Sequence, residues 1–173
     1  MMPARIPSRV GCYRGCCEMP EKSMQKLKGL IGWQSPAFEV EIEQGRVEDF
    51  AEAVFDDDPV FSDAVEAGVR GEPAPPAPIT FFGSMFFIDE DRHEPNLTFD
   101  YENTLHGEQE FSFNRTPLVG ETVYGRVTVI DIYQKDRGDS GVITFAELET
   151  EFRDTDGELV LTAVKTRIEV SDG

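Results

Sequence analysis

Two β-prone runs in the middle of the chain, His106 to Asn114 and Glu121 to Tyr133, constrain the fold more than any other feature. They flank Thr116-Pro117-Leu118-Val119-Gly120. Pro117 pre-sets a turn backbone and has no N–H for a ladder, while Gly120 can take a positive φ, so the chain must reverse here. The expectation is an antiparallel hairpin with a five-residue loop.

Further strands can be read on either side. Ala37 to Gln44 alternates Phe38, Val40 and Ile42 with Glu39, Glu41 and Glu43, the pattern of a half-buried strand with an acidic outer face. After Gly45, the residues Val47, Phe50, Ala51, Val54 and Phe55 fall on one stripe of an α-helix. Gly141 to Phe152 sets Val142, Thr144, Ala146, Leu148, Thr150 and Phe152 on one face, with Glu147, Glu149 and Glu151 on the other. Asp154-Thr155-Asp156-Gly157 is a turn and Leu159 to Val170 returns, giving a second hairpin that Lys135 to Ser140 joins to the first. Ile79 to Ile88, ITFFGSMFFI, is apolar nearly all round and reads as a buried helix or a buried strand. Asp89 to Thr104 is polar and irregular, a loop in which His93 is expected to be solvated.

Length and charge bound the rest. A chain of 173 residues with 39% hydrophobic content can bury one core, and nothing marks a second. The formal charge of −18 disfavours nucleic acid, whose phosphates need clustered Lys and Arg. No apolar run reaches the roughly 18 residues of a membrane span, and no apolar leader opens the chain, so no membrane is expected and the location is read as cytoplasmic. Residues 1–35 hold six of the sixteen basic residues, only two acids, and all three cysteines, Cys12, Cys16 and Cys17. A metal site would need a fourth ligand, and His93 and His106 stand far away and apart, so no metal or cofactor is expected. This zone reads as a disordered extension or an over-extended translation start, with a short helix over Ser23 to Gly32 leading into a domain that spans 36–173.

His-Gly-Glu-Gln-Glu-Phe at 106–111, Asn-Arg-x-Pro at 114–117 and Leu-Val-Gly-Glu-Thr-Val at 118–123 resemble the N-terminal domain of MaoC-like hydratases and dehydratases, over roughly Ala37 to Val170. The resemblance implies a single hot-dog domain, α+β in class, in which a five-stranded antiparallel sheet wraps round one buried helix. Residues 79–88 are then that helix, capped by Thr80. Its free N-terminal N–H groups, at Ile79, Thr80 and Phe81, are the place where a thioester carbonyl would be polarised.

Catalytic members carry an Asp and, five residues on, a His, which together activate the water that adds to an enoyl thioester. Acid and base must both reach one site. Here Asp56 matches, but the position five on is Phe61, which cannot move a proton. His106, Gly107 and Arg115 are the other candidate substrate-binding residues. His106 also reads as a structural histidine held by neighbouring groups. Arg115, beside the Pro117 turn, could meet a phosphate of CoA or of a carrier protein, or pair with nearby acids. Their separation of nine positions would place them on opposite faces of a regular strand.

Three functions fit. The first is an acyl-thioester-binding subunit of an enoyl-CoA hydratase or (3R)-hydroxyacyl-thioester dehydratase, similar to the substrate-binding subunits of heteromeric bacterial dehydratases. The second is a self-sufficient hydratase using a displaced residue such as His106. The third is a non-enzymatic acyl-CoA-binding module. A thioesterase fits less well, because hot-dog thioesterases place an acid on the central helix and residues 79–88 contain none. The expected partners are an acyl-CoA or acyl-carrier-protein thioester and a second hot-dog chain, as a homodimer or heterodimer.

Overall fold

The computed structural model describes residues 21–57 and 93–171. Helix α1 (Glu21–Lys28) precedes strand β1 (Phe38–Glu41) and helix α2 (Gln44–Ala53). Four long strands follow: β2 (Thr104–Phe113), β3 (Thr122–Asp136), β4 (Val142–Arg153) and β5 (Leu159–Ser171). They form one sheet in the order β1-β3-β4-β5-β2, with every neighbouring pair antiparallel. The expected helix at 79–88 lies outside the described residues.

Alternation places the strands as read. In β4, Thr144, Ala146, Leu148, Thr150 and Phe152 are all buried. β4 and β5 form a hairpin, with Gly157 at φ 85° in its turn. β3 and β4 are themselves joined as a hairpin through 137–141, so β3, β4 and β5 make a continuous meander.

The central hairpin is a correction. The chain does reverse at Thr116–Gly120, with Gly120 at φ 85°, but β2 pairs with β5 while β3 pairs with β1 and β4. The connection crosses the end of the sheet. Asn114 and Arg115 N–H groups donate to the Val160 carbonyl (2.9 and 3.3 Å), and Gly120 N–H donates to Ile42 C=O (2.8 Å). Turn chemistry reports where a chain changes direction; ladder partners depend on which buried faces can be continued across the sheet.

α2 is shorter than its apolar spacing suggested. Val47 and Ala51 are buried and Phe50 packs beside them, but Val54 and Phe55 are 51% and 94% exposed. Phe55 takes φ 59°, which ends the helix, and Asp56 N–H returns to the Ala51 carbonyl.

Packed structure also begins upstream of the boundary expected after Ser35. Leu27 is buried against Leu97, Val127, Val129, Ile132, Ala146 and Leu148, with Met24, Leu30 and Trp33 alongside. Gly32 N–H donates to Val129 C=O and Val129 N–H to Trp33 C=O (2.8 and 3.0 Å), while Val127 N–H donates to Ser35 Oγ (3.0 Å). Leu27→Ala should therefore cost about 2–3 kcal/mol, seen as a lower urea midpoint at unchanged slope. An unshifted midpoint would mean that α1 stands outside the cooperative unit.

Candidate functional site

Cross-strand register fixes which side chains share the buried face. Reading from β3 to β2, one row runs Gly125, Phe152, Leu161, Phe113; the next runs Val127, Thr150, Ala163, Phe111. A third runs Val129, Leu148, Lys165, Gln109, and a fourth Ile132, Ala146, Arg167, His106. The face is thus apolar at the Phe113 end, where α2 packs, and changes at its β5–β2 side to Lys165, Arg167 and His106.

His106 and Arg115 stand beyond opposite ends of this gradient. His106 is exposed, on the same face as Arg167. The regular alternation assumed in the sequence does not hold, because β2 has a bulge at Gly107, which has no partner on β5. A Cβ there would lie 2.5 Å from Ile168 Cδ1, so the close approach of the two strands favours glycine. Gly107 itself is exposed and offers only backbone groups to a ligand.

Arg115 is engaged. Its guanidinium donates to both Glu121 oxygens (3.1 and 2.9 Å) and to Asp154 Oδ2 (3.0 Å), while Glu121 Oε2 also accepts Leu118 N–H (3.1 Å). These bonds, Glu121 first, hold the guanidinium above its ordinary pKa, and the Arg115 hydrogen bond holds the Asp154 carboxyl below its own. The cluster ties the β2–β3 crossover to the β4–β5 turn. Arg115→Ala should lower the Tm by about 1–3 °C at neutral pH. A carboxyl depressed on folding contributes above its ordinary pKa and loses that contribution as pH falls through the depressed value. The deficit should therefore shrink as pH falls below the ordinary carboxyl range and on through the depressed Asp154 value; a pH-independent deficit would remove Asp154 from the account.

Asp56 is exposed just past α2. Phe61, Ile79, Thr80 and Phe81 lie outside the described residues, so only His106, Gly107, Arg115 and Asp56 are placed, and these four do not converge on one pocket among the described residues. No group of three His, Cys, Asp or Glu side chains there could hold a metal, and no described helix is long and apolar enough to cross a membrane.

One cluster escaped the sequence reading. Lys165 and Glu94 are joined by an ion pair with side chains 6% and 9% exposed, and Arg167 donates through Nε and NH2 to the other Glu94 oxygen (3.2 and 3.1 Å). Glu169, also buried, accepts Asp100 N–H (2.7 Å). His93, expected to be solvated, instead stacks on Phe38 of β1 with ring centroids 3.9 Å apart. Two adjacent residues therefore engage strands that are not neighbours in the sheet, His93 on β1 and Glu94 on β5. The available signal was that Lys165, Arg167 and Glu169 share strand parity with Leu161 and Ala163.

Residues 29–163 match the family model described as the FAS1-like dehydratase domain region. A UPF0336 protein of Streptomyces coelicolor is 32% identical over 130 residues, covering 74% of this chain and 83% of its own. One of Saccharopolyspora erythraea is 34% identical over 136 residues, covering 78% and 83%. Among solved structures, a MaoC-like dehydratase aligns at TM-score 0.68 and 22% identity, over 84% of this chain and 43% of that one. A chain of the (3R)-hydroxyacyl-ACP dehydratase complex HadBC of Mycobacterium tuberculosis aligns at 0.60 and 23%, over 80% and 96%. One from the ChsH1–ChsH2 complex of the same organism aligns at 0.59 and 17%, over 88% and 91%. With its β1-β3-β4-β5-β2 sheet and this match over most of its length, the chain belongs to the FAS1-like dehydratase family and has the α+β hot-dog fold of MaoC-like dehydratases.

Proposed function

We propose that this chain is the acyl-thioester-binding subunit of an enoyl-CoA hydratase or (3R)-hydroxyacyl-thioester dehydratase, and that a second hot-dog chain supplies the proton-transfer residues. The observation that carries the reading is Phe61, five residues after Asp56, where catalytic members of the resembled family have His. The partner is supported by two solved relatives, HadBC and ChsH1–ChsH2, that are named as complexes of two chains. In this reading the acyl thioester, on CoA or a carrier protein, lies against residues 79–81 and the His106–Gly107 end of the buried face. Arg115, already held by two carboxylates, serves the fold and leaves the phosphate end to other residues.

A second reading, a hydratase complete in itself, is favoured by one observation: His106 faces the same side of the sheet as Lys165 and Arg167. Crotonyl-CoA hydration by the purified chain, alone and mixed with a MaoC-like chain carrying the Asp and His, separates the two. Positioned acid–base groups are worth about 10²–10⁴-fold, so the mixture should exceed the sum of its parts by at least about a hundredfold. Turnover by the chain alone that is lost in His106→Ala would establish the second reading. Turnover unaffected by that change would refute both, and acyl-CoA binding with no turnover in any mixture would leave a non-enzymatic binding module.

A further inference from the structure

The outer face of the sheet, turned away from the buried one, changes character along the strands. At one end two rows are apolar: Tyr133, Phe145, Ile168 and Leu105 across β3, β4, β5 and β2, and beside them Ile143 and Val170. Tyr133 and Phe145 stack with ring centroids 4.9 Å apart, Leu105 is 57% exposed, and the others are partly exposed. The next two rows are acidic, Asp131, Glu147 and Glu108 and then Glu149 and Glu110. Their field reaches Tyr133, whose hydroxyl is held above its ordinary pKa by partial burial and then by Glu147, with Asp131 and Glu108 adding to it. An antiparallel sheet with one solvated face alternates apolar-in and polar-out, as β4 does from Glu147 to Glu151. Ile143 and Phe145 break that alternation, and helices α1 and α2 both pack on the buried face, leaving this end to something else. Apolar side chains gathered in one patch and rimmed by charge mark a surface that is covered by a partner.

The chain itself carries a segment of complementary chemistry. Residues 1–20 hold Arg5, Arg9 and Arg14, with Ile6, Val10 and Tyr13 among them and Glu18 as their one acid. They carry a formal +2 in a chain of −18, leaving −20 on residues 21–173. Opposite charge steers and registers such a segment, and the apolar residues between the arginines have a patch to cover. The segment also starts in the right place. It joins α1 at Glu21, and Leu27 of α1 lies in the cluster of Ile132 and Ala146, the chain neighbours of Tyr133 and Phe145 that face the other way. Among the described residues nothing pairs with β3 on that side past Val129, so its edge can be rounded there. Twenty extended residues reach roughly 60–70 Å, far more than the thickness of a sheet.

We infer that residues 1–20 dock on the outer face of their own chain, covering the Tyr133–Phe145 patch with Ile6, Val10 and Tyr13 and setting their arginines against the acidic rows that contain Glu147 and Glu149. The inference stands apart from the functional reading, since it concerns the opposite face of the sheet.

All three cysteines of the chain, Cys12, Cys16 and Cys17, lie in this segment, so a nitroxide on Cys12 of the full-length Cys16→Ser/Cys17→Ser variant reports where it sits. NMR amide signals of 131–135, 143–147 and 168–170 should lose intensity selectively and recover when the nitroxide is reduced. The loss should be greater at about 50 mM than at about 500 mM NaCl, because salt screens exposed charge pairs. Glu147→Lys/Glu149→Lys should abolish it, and adding Arg5→Glu/Arg9→Glu/Arg14→Glu to that variant should restore it. The last three changes lie outside every described element, so they test the pairing without touching the core. Broadening that is absent, centred on other residues, indifferent to the charge reversals, or seen only when the nitroxide is on a separate copy of the chain would overturn the inference.

Discussion

Replacing Glu94 with alanine should remove about 3–5 kcal/mol of stability, the cost of taking one member from a buried ion pair. The magnitude follows from burial. Lys165 and Glu94 side chains are 6% and 9% exposed, so the lost attraction is not replaced by water. Two β5 cations share that carboxylate, and an isostere without charge should not rescue it, so Glu94→Gln should lose most of the same amount. The double change Glu94→Leu/Lys165→Met should be markedly more stable than Glu94→Ala alone, because it withdraws the two most buried charges together and fills their space with apolar groups, while Arg167, 20% exposed, loses only that carboxylate. Urea unfolding of the four proteins decides the matter. A loss below about 1 kcal/mol for Glu94→Ala would mean that the ion pair is open to water. The contrast with Arg115 is instructive: its side chain is 39% exposed and its three hydrogen bonds to carboxylates are worth correspondingly less.

Phe152→Ala is expected to cost about 3–5 kcal/mol, through lost burial and the cavity left behind. The ring is 1% exposed and meets Phe38 edge-on, with centroids 6.1 Å apart at 89°. Between Phe38 and Phe152 the sheet has Gly125, where a Cβ would overlap the Phe38 ring and come within 2.9 Å of Phe152. Gly125→Ala should therefore destabilise by overpacking, by about 1–3 kcal/mol. Phe152→Leu should cost about 1.5 kcal/mol and offset part of the Gly125→Ala penalty when the two are combined. Strict additivity of the pair in thermal or urea unfolding would show that the ring moves aside without strain.

The alternation of Val40 and Ile42, and of Thr144 through Phe152, was legible because a strand with one buried face writes a period of two into the chain. The pairing of β2 with β5 was not legible in the same way. Local turn residues report the reversal at Pro117 and Gly120 but carry no information about strands forty residues on. The buried cations escaped the sequence reading for a different reason. Lys165 and Arg167 kept the parity of the core, yet charged residue types are seldom buried unless paired, and the pairing residue, Glu94, lies far away in sequence. For the candidate site, the resemblance singled out the His106–Gly107 pair and the absence of His at position 61. It did not indicate that Arg115 would be occupied by Glu121 and Asp154, which only the crossover brings together.

The bulge at Gly107 sets a length. A strand added to the open side of β2 would meet the unmatched residue as β5 does, so a regular ladder could not run unbroken from 104 to 113. The longest uninterrupted docking rail is the six residues from Glu108 to Phe113, about 20 Å at strand spacing. Glu108 and Glu110 sit at the start of that rail, and the segment containing Leu105 and His106 lies past its end, one step out of phase. A chain seated on the rail would leave His106 beside the seam, outside the shared ladder.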